Sequence, residues 1–223
     1  DAAAKLGADE PSLLSAARGI LTTDTVHKLA GRTLSLASGE IQITGMAKGA
    51  GMIGPNMATM LGVILTDAAL RPETAQAALA ETVDETFNCI SVDGHMSTND
   101  TVLLLANGAA AGEPLEGEDL AALRRALGEV CGELACAIPA DGEGASHLVT
   151  IRVGGCPSRR AARQIAKTVA ESPLVKTAIA GADPNWGRIV SAAGYAGVPF
   201  DPGKVSLRLN GFALYENGAP VAF

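Results

Sequence analysis

The feature that most constrains this chain is the run Lys48-Gly49-Ala50-Gly51-Met52-Ile53-Gly54-Pro55-Asn56-Met57-Ala58-Thr59-Met60-Leu61, which sets a cation, several small residues and a threonine between two apolar segments. Upstream, Thr33-Leu34-Ser35-Leu36 and Ile41-Gln42-Ile43-Thr44 alternate around Ser38-Gly39, the pattern of a hairpin whose second strand runs into Lys48. Downstream, Leu61-Gly62-Val63-Ile64-Leu65-Thr66 is apolar and β-branched and predicts a central strand. The run thus connects two strands, and glycines there let the backbone approach another group closely.

Two chemistries compete for it. Gly49-Ala50-Gly51-Met52-Ile53-Gly54 matches G-x-G-x-x-G, which in a nucleotide-binding oxidoreductase turns a strand into a helix whose N-terminus holds a pyrophosphate. That pattern also requires an acidic residue about 20 positions further on, whereas Asp67 follows the last glycine by only 13. Lys48 precedes the glycines, so the run is not a phosphate loop of the G-x-x-x-x-G-K kind. The other chemistry centres on Thr59. A threonine hydroxyl becomes a nucleophile when a base takes its proton, and a chain-terminal threonine supplies that base as its own α-amine. An internal Thr59 reaches this state only by scission after Ala58. On local sequence alone, a β-branched residue packed in a turn is the simpler role.

Composition narrows the partners. A formal charge of −7 argues against electrostatic binding to nucleic acid or an anionic membrane, both of which need a basic face. With 48% hydrophobic but only 3% aromatic residues, an aliphatic core is expected. Cys89, Cys131, Cys136 and Cys156 form no C-x-x-C pair, and His27, His95 and His147 complete no zinc-ligand spacing, so neither metal nor cofactor is expected. Reduced cysteines and the absence of a membrane-length apolar run fit a cytoplasmic protein. The start lacks a leader pattern, yet it also lacks an initiator Met, which leaves an upstream targeting segment open.

The rest of the chain alternates helical and extended patterns. Asp9-Glu10-Pro11 opens a helix carried by Leu13, Leu14, Ala17 and Ile20. Thr22-Thr23-Asp24-Thr25 is the composition of a turn or cap cluster. Arg71-Pro72-Glu73 opens a second helix through Phe87, and the polar loop Ser91 to Asp100 precedes an expected buried strand, Thr101 to Leu105. Leu120, Leu123, Leu127, Val130 and Leu134 place an amphipathic helix over Gly117 to Ile138. Leu148 to Val153 has the character of a strand, Ser158 to Glu171 of a helix, and Asp183 to Arg188 of a structural turn whose Arg188 could pair with an acidic group. Val205 to Leu209 and Ala213-Leu214-Tyr215 suggest an edge strand and a hairpin. Lys48 offers a compact charge suited to a carboxylate, and Glu143, flanked by glycines, one suited to an ammonium. A solvated lysine and a turn carboxylate are the plain alternatives.

The segment Pro55-Asn56-Met57-Ala58-Thr59-Met60-Leu61 resembles the self-processing signature of the ornithine acetyltransferase family, the arginine biosynthesis bifunctional proteins. Five further stretches resemble that family in order: Thr22-Thr23-Asp24-Thr25; Ile90-Ser91-Val92-Asp93-Gly94 through Ser97-Thr98-Asn99-Asp100-Thr101; Ala140-Asp141-Gly142-Glu143-Gly144-Ala145; Ala182-Asp183-Pro184-Asn185-Trp186-Gly187-Arg188-Ile189; and Tyr215-Glu216-Asn217-Gly218-Ala219-Pro220-Val221. His95-Met96 stands where the family usually carries Asp-Thr, a departure that removes a carboxylate.

The resemblance implies an α/β layered sandwich with mixed sheets, of the N-terminal-nucleophile type, with a smaller second lobe. It implies scission between Ala58 and Thr59, so that residues 1–58 are the C-terminal part of an alpha chain and 59–223 most of a beta chain whose C-terminal tail is absent. The oxyanion-forming threonine-glycine pair would lie upstream of residue 1. The implied activity is transfer of acetyl from N2-acetylornithine to glutamate through acetyl-Thr59, with acetyl-coenzyme A a candidate second donor. Thr22, Lys48, Thr59 and Glu143 map onto substrate-contacting positions, and the cut chains are expected to assemble as an alpha2-beta2 heterotetramer. A self-processed aminopeptidase or amidase of similar fold is the alternative within this architecture.

Overall fold

The computed structural model describes residues 7–54, 60–110 and 112–222, which group into two compact units, Asp1–Ala145 and Ser146–Phe223. The first unit is built on a long hairpin. Strands β1 (Lys28–Leu36) and β2 (Gly39–Lys48) pair antiparallel from Lys28↔Ala47 to Leu36↔Gly39. Strand β3 (Leu61–Thr66) adds antiparallel to β2, and β4 (Thr101–Ala106) adds parallel to β3, giving a mixed sheet ordered β1-β2-β3-β4. Before the hairpin, α1 (Glu10–Gly19) starts as its sequence predicts, with the Asp9 carboxylate accepting the Ser12 N–H at 3.0 Å and a proline in the first turn. Between β3 and β4 the chain crosses over through α2 (Pro72–Glu85), and Phe87 sits in a short 3-10 turn that follows.

One helix covers the sheet. The 24-residue α3 (Gly117–Ala140) is about 36 Å long at 1.5 Å per residue, enough to run the length of the hairpin. Its stripe of Leu123, Leu127, Val130, Leu134 and Ile138, each at most 1% exposed, packs on Ile41, Ile43, Ala47 and Ile64 from the sheet. Cys131 shares this core, where burial pushes its thiol up to about 12. Carboxylates fasten both ends of the helix to the hairpin. Near the N-terminus of α3, Asp119 accepts the N–H groups of Ala37 and Ser38 in the hairpin turn, at 3.2 and 3.0 Å. At the other end Asp141, which terminates α3, reaches the base of the hairpin.

The second unit contains α4 (Arg159–Glu171), α5 (Pro173–Ala180), α6 (Trp186–Gly194) and a small sheet of β5 (Leu207–Leu209), β6 (Phe212–Glu216) and β7 (Ala219–Pro220). Ile165, Val169, Val175, Ala192 and Ala196 form its core, and Trp186 stacks on Tyr215 with ring centroids 5.1 Å apart.

The expected α/β architecture with a mixed sheet and a smaller second unit is the one the chain adopts, and three local expectations are corrected. Strand β4 is an edge strand and not a buried one; on the face turned from α3, Leu103 and Leu105 are 47% and 54% exposed. The segment Leu148 to Val153 forms no ladder among the described residues. Its Ile151 and Val153 pack against the helical core of the second unit, so the alternation that suggests a strand serves packing without a hydrogen-bonded neighbour. Trp186 and Arg188 lie in α6 rather than in a free turn, and the Arg188 guanidinium donates to the Leu174 carbonyl at 3.0 Å and the Thr177 hydroxyl at 3.1 Å of α5, with no acidic partner among the described residues.

Truncating the helix stripe tests this packing. Leu134→Ala should lower stability by about 2 to 5 kcal/mol, read as a lower urea midpoint at unchanged slope.

Candidate functional site

Lys48 closes β2, and strand alternation places it on the opposite face from Ala47 and Ile43. It is 6% exposed, and its ammonium donates to the Thr22 hydroxyl at 3.3 Å. The backbone then enters the glycine run. No helix opens between Gly49 and Gly54, so the pyrophosphate-binding helix N-terminus of a dinucleotide site is missing there. The glycines serve the protein's own contacts instead. A Cβ on Gly51 would lie 2.8 Å from the Glu143 carboxyl carbon, and one on Gly54 would lie 2.9 Å from the backbone of Gly94 and His95. The Glu143 N–H donates to the Ala50 carbonyl at 2.8 Å, which holds Glu143 against the run. Thr22, Lys48 and Glu143, dispersed in sequence, thus gather around Gly49 to Gly51.

A buried cation ties these pieces together. Lys28, the first residue of β1, is 2% exposed, and its ammonium lies 2.7 Å from both Asp24 Oδ1 and Asp141 Oδ2. Asp24 Oδ1 also accepts the Gly49 N–H at 2.6 Å, immediately after Lys48, and Oδ2 accepts the Thr22 N–H at 3.4 Å. Asp141 accepts the N–H of Thr25 at 3.0 Å, the Thr25 hydroxyl, and the Val26 N–H at 3.4 Å. Burial pushes both carboxyls up, but the Lys28 ammonium together with these hydrogen bonds outweighs it and leaves each below the ordinary carboxylate value.

The far side of the run is held by the polar loop before β4. Asp93 accepts the N–H groups of Met52 at 2.7 Å, Ile53 at 3.1 Å and His95 at 3.0 Å. Burial acts to raise the Asp93 carboxyl, yet these amides hold it below the usual range. Asp100 Oδ1 accepts the Met60 N–H at 2.8 Å, and the Met60 carbonyl accepts the Thr101 N–H at 3.2 Å, so both backbone groups of the residue after Thr59 are fixed. Burial raises the Asp100 carboxyl against the opposing pull of the Met60 amide and the Lys48 charge, and its Oδ2 is buried with no partner among the described residues. A cleft of about 280 Å³ adjoins, walled by Gly54, Met60, Val83, Phe87, Asp100 and Val102. Thr22, Lys48 and Glu143 do not line it. Ala58 and Thr59 lie outside the described residues.

The sequence model of the ArgJ family matches residues 1–223. The chain belongs to the ArgJ family. It is 48% identical over 224 residues to the arginine biosynthesis bifunctional protein ArgJ of Rhodopirellula baltica, covering 99% of this chain and 55% of that protein. It is 50% identical over 204 residues to the ArgJ protein of Nitratidesulfovibrio vulgaris, covering 92% and 52% respectively. The crystal structure of the arginine biosynthesis bifunctional protein argJ from Bacillus halodurans matches with a TM-score of 0.68 at 40% identity, covering 70% of this chain and 75% of that one. The chain spans about half the length of the curated relatives it matches.

Three of the motifs named from sequence are therefore contacts in space. Thr22-Thr23-Asp24-Thr25 is the segment gripped by Lys48 and the Lys28 triad, the Ser91 to Asp100 stretch is the loop that holds Met52, Ile53 and Met60, and Asp141 to Glu143 closes the third side. His95 and Met96 are exposed on that loop. Sequence reasoning missed Lys28 altogether. The available signal was a lysine at a strand start four residues after an aspartate, a spacing equally common on solvated surfaces.

Removing one member of a buried ion triad leaves uncompensated charge. Lys28→Met should cost about 3 to 5 kcal/mol near neutral pH. The lowered carboxyls of Asp24 and Asp141 contribute stability above their ordinary value of 3.8, lost as pH falls through their lower folded values. The gap between wild type and Lys28→Met in urea unfolding should therefore be widest at pH 7 and narrow below about pH 4.

Proposed function

We propose that this chain is part of a glutamate N-acetyltransferase of arginine biosynthesis that cuts itself between Ala58 and Thr59. Thr59 Oγ attacks the Ala58 carbonyl and displaces its own nitrogen, and water then releases Ala58 as a carboxylate and regenerates the hydroxyl. The freed amine of Thr59 takes the proton of that hydroxyl, which attacks the acetyl carbonyl of N2-acetylornithine. Ornithine leaves, acetyl-Thr59 remains, and the amine of glutamate takes the acetyl in the second half-reaction of a ping-pong scheme. Lys48, with the Thr22 hydroxyl, would hold the α-carboxylate, and Glu143 the distal ammonium. Acetyl-coenzyme A is proposed as a further donor and the alpha2-beta2 heterotetramer as the assembly.

The observation that carries this proposal is the gathering of Thr22, Lys48 and Glu143 around Gly49 to Gly51, in a run that leads within a few residues to Ala58-Thr59 in family context. A cation that opens the loop and a carboxylate packed against it suit a zwitterionic diamino acid. The anchoring of Met60 by Asp100 and Thr101 supports a nucleophile held in one geometry, as acyl transfer requires. Among the described residues no helix is long and apolar enough to cross a membrane, and the four cysteines are unpaired. We place the protein in the cytoplasm; the ArgJ relative in Verticillium alfalfae carries the word mitochondrial in its name.

Thr59→Ala in the full-length protein is expected to run as one polypeptide on a denaturing gel and to form no acetyl-enzyme by intact mass, while wild type gives two bands and an acetylated chain that begins at Thr59. Two bands from the variant would overturn the scheme, as would release of free acetate in place of acetylglutamate by wild type. Glu143→Gln should raise KM for N2-acetylornithine by roughly ten- to a hundredfold, since a hydrogen bond to a charged group contributes about 1.5 to 3 kcal/mol, and leave self-cleavage intact.

A further inference from the structure

We propose that Lys28 is a positioning residue that sets the spacing between Lys48 and Glu143, and through it the length of diamino acid the site accepts. This rests on the acetyl-transfer activity proposed above. The contacts form a closed circuit. From Lys28 one path runs through Asp24 to the Gly49 N–H and the Thr22 N–H, and so to the Lys48 ammonium on the Thr22 hydroxyl. The other runs through Asp141, two residues before Glu143 in the chain. The circuit closes where the Glu143 N–H meets the Ala50 carbonyl, two residues after Lys48. Both charged ends of the substrate cluster are thereby referenced to one ammonium.

That ammonium does not itself meet a substrate. Its side chain is 1% exposed, and its three acceptors are Asp24, Asp141 and the Val26 carbonyl. A compact point charge between two carboxylates ties their positions to each other. Asp24 and Asp141 come from a loop and a helix end 117 positions apart, and Lys28 is the residue that bonds to both. Thr25, which also bonds Asp141, reinforces the same join through neutral groups. A device that merely held the fold would affect stability alone. A device that sets a distance between a carboxylate-binding and an ammonium-binding group also affects which chain length bridges them.

The test compares full-length wild type, Lys28→Met and Asp141→Asn, with glutamate as acceptor and either N2-acetylornithine or the one-methylene-longer N2-acetyllysine as donor. Wild type should prefer the ornithine donor by at least about tenfold in kcat/KM, the order a single methylene commands. Asp141→Asn keeps an oxygen for the Thr25 N–H and leaves Lys28 paired with Asp24, so it is the milder variant and carries the test if Lys28→Met proves too unstable to assay. In each variant that folds by circular dichroism and self-cleaves, KM for the ornithine donor should rise roughly tenfold and the ornithine-to-lysine ratio should fall toward one, with kcat within about threefold of wild type. An unchanged ratio in folded Asp141→Asn overturns the inference while leaving the activity intact. Failure of wild type to transfer acetyl to glutamate removes the activity itself, and the two failures are read from different proteins.

Discussion

The structure of the first unit depends on one buried ion pair system, the Lys28 ammonium between the carboxylates of Asp24 and Asp141. Charges this far from water are costly unless their geometry is good and their remaining valences are used. Here Asp24 and Asp141 spend those valences on the N–H groups of Thr22, Thr25, Val26 and Gly49, so the cost of desolvation is offset by contacts that determine where the loop before β1 lies. Asp141 would be poorly placed without α3, which it caps and whose C-terminal end must arrive at the base of the hairpin. Helix length and strand length are therefore matched, and Asp119 at the turn fixes the register from the other end.

A second level of organisation is electrostatic. The glycine run is flanked by Asp24, Asp93 and Asp100, each accepting at least one backbone N–H from the run or its exit. Against burial, Asp24 is held in the charged form by Lys28 and its backbone donors and Asp93 by backbone amides, whereas Asp100 is pushed the other way because burial exceeds what one amide and the Lys48 charge return. Of three carboxylates in one neighbourhood, two are thus shifted down and one up.

What was legible in the sequence was whatever depends on near neighbours. The period of Leu123, Leu127, Val130 and Leu134, the cap at Asp9 and the hairpin around Ser38-Gly39 are local signals; helix and cap lie where the pattern puts them, and the hairpin turns one residue earlier, at Ala37-Ser38. The segment Leu148 to Val153 shows the limit of such signals, because β-branched alternation reports that alternate side chains are buried, not that a neighbouring strand exists to bond the backbone. Strand β4 shows another: its apolar run is the same whether one face or both are covered. Thr22, Lys48 and Glu143, the proposed substrate contacts, were named through motif resemblance, and the structure gathers them around the glycine run. Lys28 was invisible because its partner Asp141 lies 113 positions away, and no periodicity encodes a contact at that range.

The antiparallel pairing of β2 with β3, from Ile43↔Thr66 to Lys48↔Leu61, has a bearing on the fate of a nicked backbone. The two strands flank Ala58-Thr59, so severing that bond would turn an intramolecular ladder into a seam between separate molecules, with Ile43 and Ile64 on opposite sides of it under the same helix. Complementary fragments joined along a sheet interior lose little enthalpy on nicking, while the translational entropy of separation remains unrealised until the entire core opens. Such a protein would denature in a concentration-dependent manner and refold from its parts with second-order kinetics, whereas its uncut precursor would do neither.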